Sequence, residues 1–259
     1  VRSARLPWTL AAVTLVVFVV GNILGWVTHD PQTAGGWGGG GSAALAAVSV
    51  ALFSFSVVGA LIASRLPENA IGWLLIAVGL LWATDSALEG YARYGLMLHP
   101  GSLPGAEYPD ALDNWLWIAS IGIMGTFLFQ LFPDGRVLSP RWRILTWVSG
   151  GALTVAVLAR AFAPGRLADS VVSSTANPLG VGGLDVLTTV SGISLSILLG
   201  CIPASAVVLL VRYRRSSGTA RLQLKWLVSA TAAIVIAYSV VVTISTAPEG
   251  HVPLWLMVL

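Results

Sequence analysis

Apolar runs of membrane-crossing length, separated by polar connectors, constrain this chain more than any motif in it. The runs are residues 8–26, 43–64, 71–90, 112–132, 144–162, 187–211 and 226–245, and 252–259 reads as the opening of another. A hydrocarbon core of roughly 30 Å needs about 20 consecutive apolar residues per helix. Backbone N–H and C=O groups find no water there, so each run must satisfy its own hydrogen bonds as a helix. Only 10% of the residues are charged, against about 25% in an ordinary soluble chain, too few to cover a soluble surface. The expectation is an all-α, polytopic transmembrane bundle of seven complete spans plus the start of an eighth, with residues 1–259 as one membrane-embedded domain. The first run is too long for a signal-peptide core, and no small-residue cleavage site follows Trp26, so it reads as a retained helix. A chain that begins at Val1 and stops at Leu259, within an apolar run, reads as a piece of a longer protein.

Charge placement orients the bundle. The connector 131–143, LFPDGRVLSPRWR, puts Arg136, Arg141 and Arg143 close together between two apolar runs. Of the fourteen Lys and Arg residues, eleven fall on the N-terminus and the even-numbered connectors, and three (Arg93, Arg160 and Arg166) fall on the other side. Positive connectors stay in the cytoplasm, which predicts a cytoplasmic N-terminus. Most of the eleven tryptophans lie near run ends, as an aromatic belt requires, and Trp82 is the clearest exception. The basic connector from Arg212 to Lys225 lies between two spans, a position that suits anionic lipid headgroups and not nucleic acid.

Two acidic residues stand inside the third run. Asp85, Glu89 and Arg93 follow one another at a spacing of four, on one helical face. A charged Asp at mid-membrane costs about 2.5–3.5 kcal/mol on insertion scales, so it must face helices, water or a partner. One reading is a site open to the outside that senses a small ligand, an ion or a proton. The other is structural: a Glu89–Arg93 pair, with Asp85 protonated or bonded to a neighbouring helix, and Arg160 as another candidate partner. In the sixth run, Gly192, Ser196, Gly200 and Ala204 form a small-residue stripe that would let helices approach closely, and Pro203 should bend the helix.

Other chemistry is thin. The glycine-rich stretch at residues 35–42 lacks the preceding strand and the Lys-Ser/Thr of a phosphate loop, and reads as a flexible linker. His29, His99 and His251 are dispersed without ligand spacing, so no metal site is expected. Cys201 is the one cysteine, inside an apolar run, and excludes an internal disulfide. No nucleophilic triad assembles, because the needed residues fall on opposite sides of the membrane.

Several stretches resemble the N-terminal membrane region of a group of bacterial two-component sensor histidine kinases. They are VGALIASRLPENAIGWLLIAVGLLWA (58–83), EGYARYGL (89–96), LFPDGRVLSPRWR (131–143), Asn177-Pro178-Leu179, and RYRRSSGTARLQLKWL (212–227). The resemblance implies a multi-helix sensor in the bacterial cytoplasmic membrane, dimeric, followed by a kinase domain that uses ATP and Mg and passes phosphate to a response regulator. Neither the phosphoacceptor histidine nor the nucleotide motifs occur in these residues, so no cofactor and no catalytic residue is assigned to this chain. The function expected is signal input from an external or membrane-borne cue. A small-solute transporter or channel, or a purely structural membrane protein, is the alternative. A transporter would show paired broken helices in two halves, and Pro203 has no counterpart.

Overall fold

The computed structural model describes residues 2–28, 41–167, 170–172 and 175–218, together with 221, 222, 224, 225, 228 and 229. The expected seventh span (226–245), the start of the eighth (252–259), and His29, Asp30 and His251 lie outside them, 228 and 229 excepted. Six helices among the described residues are long and apolar enough to cross a membrane. We label them α1 (Arg2–Val27), α2 (Gly41–Arg65), α3 (Ala70–Leu98), α4 (Glu107–Leu131), α5 (Arg143–Phe162) and α6 (Val186–Arg215). No strand occurs among the described residues, and one isolated bridge pairs Arg166 with Ala176.

The expected limits hold for most of these helices, with two clear departures, at the end of α3 and the start of α4. The third span continues past residue 90 to Leu98, its last turns widened into a π-helix at Arg93–Leu98. Glu89 neutralises Arg93 one turn below, and the first helix breakers are Pro100 and Gly101, the latter at φ +81°. Likewise α4 begins at Glu107 and not at residue 112, with Glu107 and Asp110 in its first turn, where the helix dipole favours negative charge. The connector between the third and fourth runs therefore shrinks to 99–106. A second π-helical segment, Ile123–Leu128, lies in α4, and α6 runs unbroken through Pro203.

The chain divides into two units, Val1–Leu209 and Leu210–Leu259. In the first, the helices alternate in direction, and α3 packs along α1, α2 and α4. Two buried apolar clusters mark two groups of three helices. Ala11, Ala60, Ala63 and Ile76 join α1, α2 and α3. Ile118, Ala152, Ala156 and Leu198 join α4, α5 and α6. The seam between the groups is the α3–α4 interface.

Close approach in the first group depends on missing side chains. A Cβ on Gly59 would stand 2.6 Å from the Gly72 carbonyl oxygen and 2.8 Å from the Ile76 nitrogen. One on Gly72 would stand 2.7 Å from the Ala63 nitrogen, and one on Gly79 would run into Ser56 Oγ. Buried hydroxyls along the helices return a hydrogen bond to the carbonyl four residues back, as Thr14 does to Leu10, Ser120 to Leu116, Thr126 to Gly122 and Ser205 to Cys201. A hydroxyl that bonds its own helix can sit in an apolar interior without an orphaned donor. Outward, large apolar side chains stand open: Trp147 is 79% exposed, Val50 71% and Ile144 70%. Such a surface suits lipid, and contiguous apolar faces of this kind are rare on soluble monomers.

The described residues of the second unit are the end of α6, with Arg212, Arg214 and Arg215 in its last turn, and part of the basic connector. There the Arg221 guanidinium lies 5.2 Å from the centre of the Tyr213 ring, within cation–π range.

Candidate functional site

One group of polar residues of the first unit lies on the α3–α4 seam and on the connectors at either end of it. At the end where α3 begins, Asn69 caps the helix: its Oδ1 accepts from the Ile71 N–H at 3.0 Å. The same side chain donates from Nδ2 to the Pro133 carbonyl at 3.1 Å, which ties the start of α3 to the connector after α4. That connector opens with a cis Phe132–Pro133 peptide and turns at Gly135, where φ is +70°. Glycine is required at this position twice over, because a Cβ would stand 2.5 Å from Asn69 Oδ1 and 2.8 Å from the Ala70 nitrogen. RLPENA and LFPDGR, 64 residues apart at Asn69 and Pro133, thus form one joint.

Toward the other end of the seam, Asp85 of α3 meets Asp113 of α4, the two carboxyl groups within side-chain hydrogen-bonding reach. Asp85 Oδ1 is sealed from solvent and has no donor among the described residues. The nearby donors serve other acceptors. Arg93 gives its Nε and Nη2 to Glu89 Oε1 at 3.0 and 2.9 Å. Arg160 of α5 donates from Nε to Asn114 Oδ1 at 2.8 Å. Asp110, fully buried, accepts from Ser170 Oγ and from the Val171 N–H at 3.1 Å, so it holds the connector after α5 to the start of α4. Asn114 Nδ2 and Trp115 Nε1 are buried without an acceptor among the described residues.

The predicted trio is therefore split in role. Glu89 and Arg93 form the expected pair on the partly exposed side of α3, where such a pair contributes at most about 1 kcal/mol. Asp85 faces a neighbouring helix, and the group within its reach there is Asp113. Sequence reading did not single out Asp113, although an Asp just inside an apolar run (Leu112-Asp113-Asn114-Trp115) was the available signal.

The stripe of Gly192, Ser196, Gly200 and Ala204 does not face the other described helices. Cβ atoms at Gly192 and Gly200 would meet nothing within 4 Å. The packed face of α6 is instead Ser191, Ser194, Leu198, Cys201, Ser205 and Val208. It lies against α4, where Cβ atoms on Gly122 and Gly125 would meet Leu198 and Ile202.

Gln130, also unflagged by the sequence, is the second polar centre. It is 1% exposed, donates from Nε2 to Ser149 Oγ at 3.1 Å and Ser205 Oγ at 2.8 Å, and accepts from Thr146 Oγ1 at 2.7 Å. One amide thereby links α4, α5 and α6. The Asn177-Pro178-Leu179 element also gains a role, because Asn177 donates to the carbonyls of Ala161 and Ala163 at 3.0 and 2.8 Å and so closes the end of α5. His99 stacks at a tilt on Tyr94, ring centres 4.9 Å apart. Among the described residues, no three His, Cys, Asp or Glu side chains converge in a way that could hold a metal ion.

No protein-family model, curated protein or solved structure matches this chain.

Proposed function

We propose that the chain is the membrane signal-input region of a sensor protein in the bacterial cytoplasmic membrane, with its N-terminus in the cytoplasm. Its output is a two-component histidine kinase that works as a homodimer, binds ATP and Mg in a domain outside these residues, and phosphorylates a response regulator. The observation that carries the reading is the α3–α4 seam, with a partly buried acid pair toward one end and the Asn69–Pro133 tie at the other. With the N-terminus inside, Asp85 and Asp113 lie in the outer half of the bilayer. Asn69 then meets the arginine-bearing connector on the cytoplasmic side, where an output domain can be reached. Ionisable groups within a span are costly, and they concentrate at sites that bind or relay. A cue that favours one packing of the seam over another shifts the population of the two, which is all that signalling requires. Anionic lipid headgroups are the partners of the basic connector from Arg212 to Lys225.

The test is phosphorylation. Membrane vesicles carrying the full-length gene product are incubated with labelled ATP and Mg and assayed for phosphohistidine, in the wild type and in Asp85→Asn and Glu89→Gln variants. Phosphohistidine whose level moves with the substitutions is the expected outcome. Its absence removes the kinase output. A level indifferent to both substitutions, in protein of normal helix content, removes sensing at this cluster. The partly buried carboxyl pair also favours a second reading, an ion- or proton-coupled transporter. Solute flux in proteoliposomes that vanishes in Asp113→Asn would select it.

A further inference from the structure

The Asp85–Asp113 contact poses a chemical problem that neighbouring side chains leave unsolved. Two carboxyl groups stand within hydrogen-bonding reach across two helices. Ionised carboxylates only accept, and one of these oxygens, Asp85 Oδ1, is buried without a donor among the described residues. A single proton on either group resolves both difficulties, since it turns one acceptor into a donor and removes the like-charge repulsion.

The charged groups around the pair are these. On α3, Glu89 lies close enough to act on both carboxyls, but its own charge is matched by Arg93. On α4, Asp110 acts on Asp113 and is held by Ser170 and Val171 of the following connector. From α5 comes Arg160, hydrogen-bonded to Asn114. Helix α1 meets α3 here through Gly21 against Ser86 and Leu24 against Gly90, none of them charged. The described side chains of α2 and α6 bring no charge to this level of the seam. The local balance is thus acidic, and among the described residues no cation figures in the charges that act on Asp85 or Asp113.

We infer that Asp85 and Asp113 form a proton-operated clasp between the two three-helix groups. With the proton held, α3 and α4 are joined at this level. Without it, two carboxylates face each other at hydrogen-bonding distance in a packed interface, and the seam parts there while Asn69 keeps its other end tied to Pro133. The movement is then a splaying of α3 against α4 about the Asn69 joint, and its stimulus is proton activity on the side that reaches Asp85. Its role as stimulus rests on the sensing reading above, whereas the clasp itself is a property of the described helices.

The test uses the whole chain in nanodiscs, with nitroxide labels at Leu98→Cys and Tyr108→Cys. Both positions are exposed ends of the seam, and the native Cys201 is buried. Raising the bath pH is expected to lengthen the label-to-label distance in the wild-type background. It should also remove a carboxylic-acid C=O stretch from the infrared difference spectrum. In Asp113→Asn the amide donates to Asp85 without any titratable proton, so the short distance should persist at all pH values. Asp85→Asn should behave alike, and supplies the comparison if Asp113→Asn misfolds. A distance that does not change with pH in the wild-type background overturns the clasp, as does an equal change in a correctly folded Asn variant. A clasp that opens while the full-length protein's phosphorylation ignores Asp85→Asn removes the sensing reading and leaves the clasp standing.

Discussion

Gly59→Ala should loosen the first three-helix group, and the size of the effect follows from the backbone geometry. The added Cβ would stand 2.6 Å from the Gly72 oxygen, 2.8 Å from the Ile76 nitrogen and 2.9 Å from Ile76 Cγ1. The first two are main-chain atoms, so no rotamer change can relieve them, and α2 must move off α3. Overpacking of this kind costs about 1–3 kcal/mol. Alanine recovers about 1 kcal/mol through its higher helix propensity. The net expectation is a loss of up to about 2 kcal/mol. Gly200→Ala is the matched control, since its Cβ meets nothing within 4 Å. It should be neutral, or stabilising by less than about 1 kcal/mol. Denaturant titration of helical circular dichroism in mixed micelles compares the two variants. Should Gly200→Ala lose as much stability as Gly59→Ala, the assignment of the tight interface to α2 and α3 is wrong.

Gln130→Leu removes three interhelical hydrogen bonds. At about 0.6 kcal/mol each within a membrane, the loss is about 2 kcal/mol, softened where Ser205 and Thr146 keep their bonds to Cys201 and Trp142. The same titration reads it, and a variant as stable as wild type would mean that the amide does not hold these helices together. Asn69→Ala deletes a helix cap worth about 1 kcal/mol together with the tie to Pro133. Faster trypsin cleavage at Arg136 is the expected sign of the freed connector, and an unchanged rate would count against the joint.

Most of the helical architecture was legible from hydropathy, because a helix in lipid satisfies its own backbone whatever its neighbours are. The six described spans accordingly match the apolar runs. They extend beyond them only where a polar turn could continue a helix, as at Arg93–Leu98 and at Glu107. The Glu89–Arg93 pair was legible for the same reason, since both members lie on one helix at a spacing of four.

What the sequence could not determine is everything that depends on which faces meet. Gly59, Gly72 and Gly79 pack on other helices and Gly192 and Gly200 do not, although small residues at helical spacing look alike in a one-dimensional pattern. Asp85 carried a signal, but its partner Asp113 lies on another helix, and no spacing rule links positions across a connector. Gln130 likewise became a centre only when Thr146, Ser149 and Ser205 were brought around it. Composition and run length thus determined by themselves that this chain forms helices suited to a membrane, since backbone hydrogen bonding in lipid is local. The tertiary structure alone decided where its buried polar groups meet, because close packing and side-chain pairing are properties of two surfaces and not of one segment.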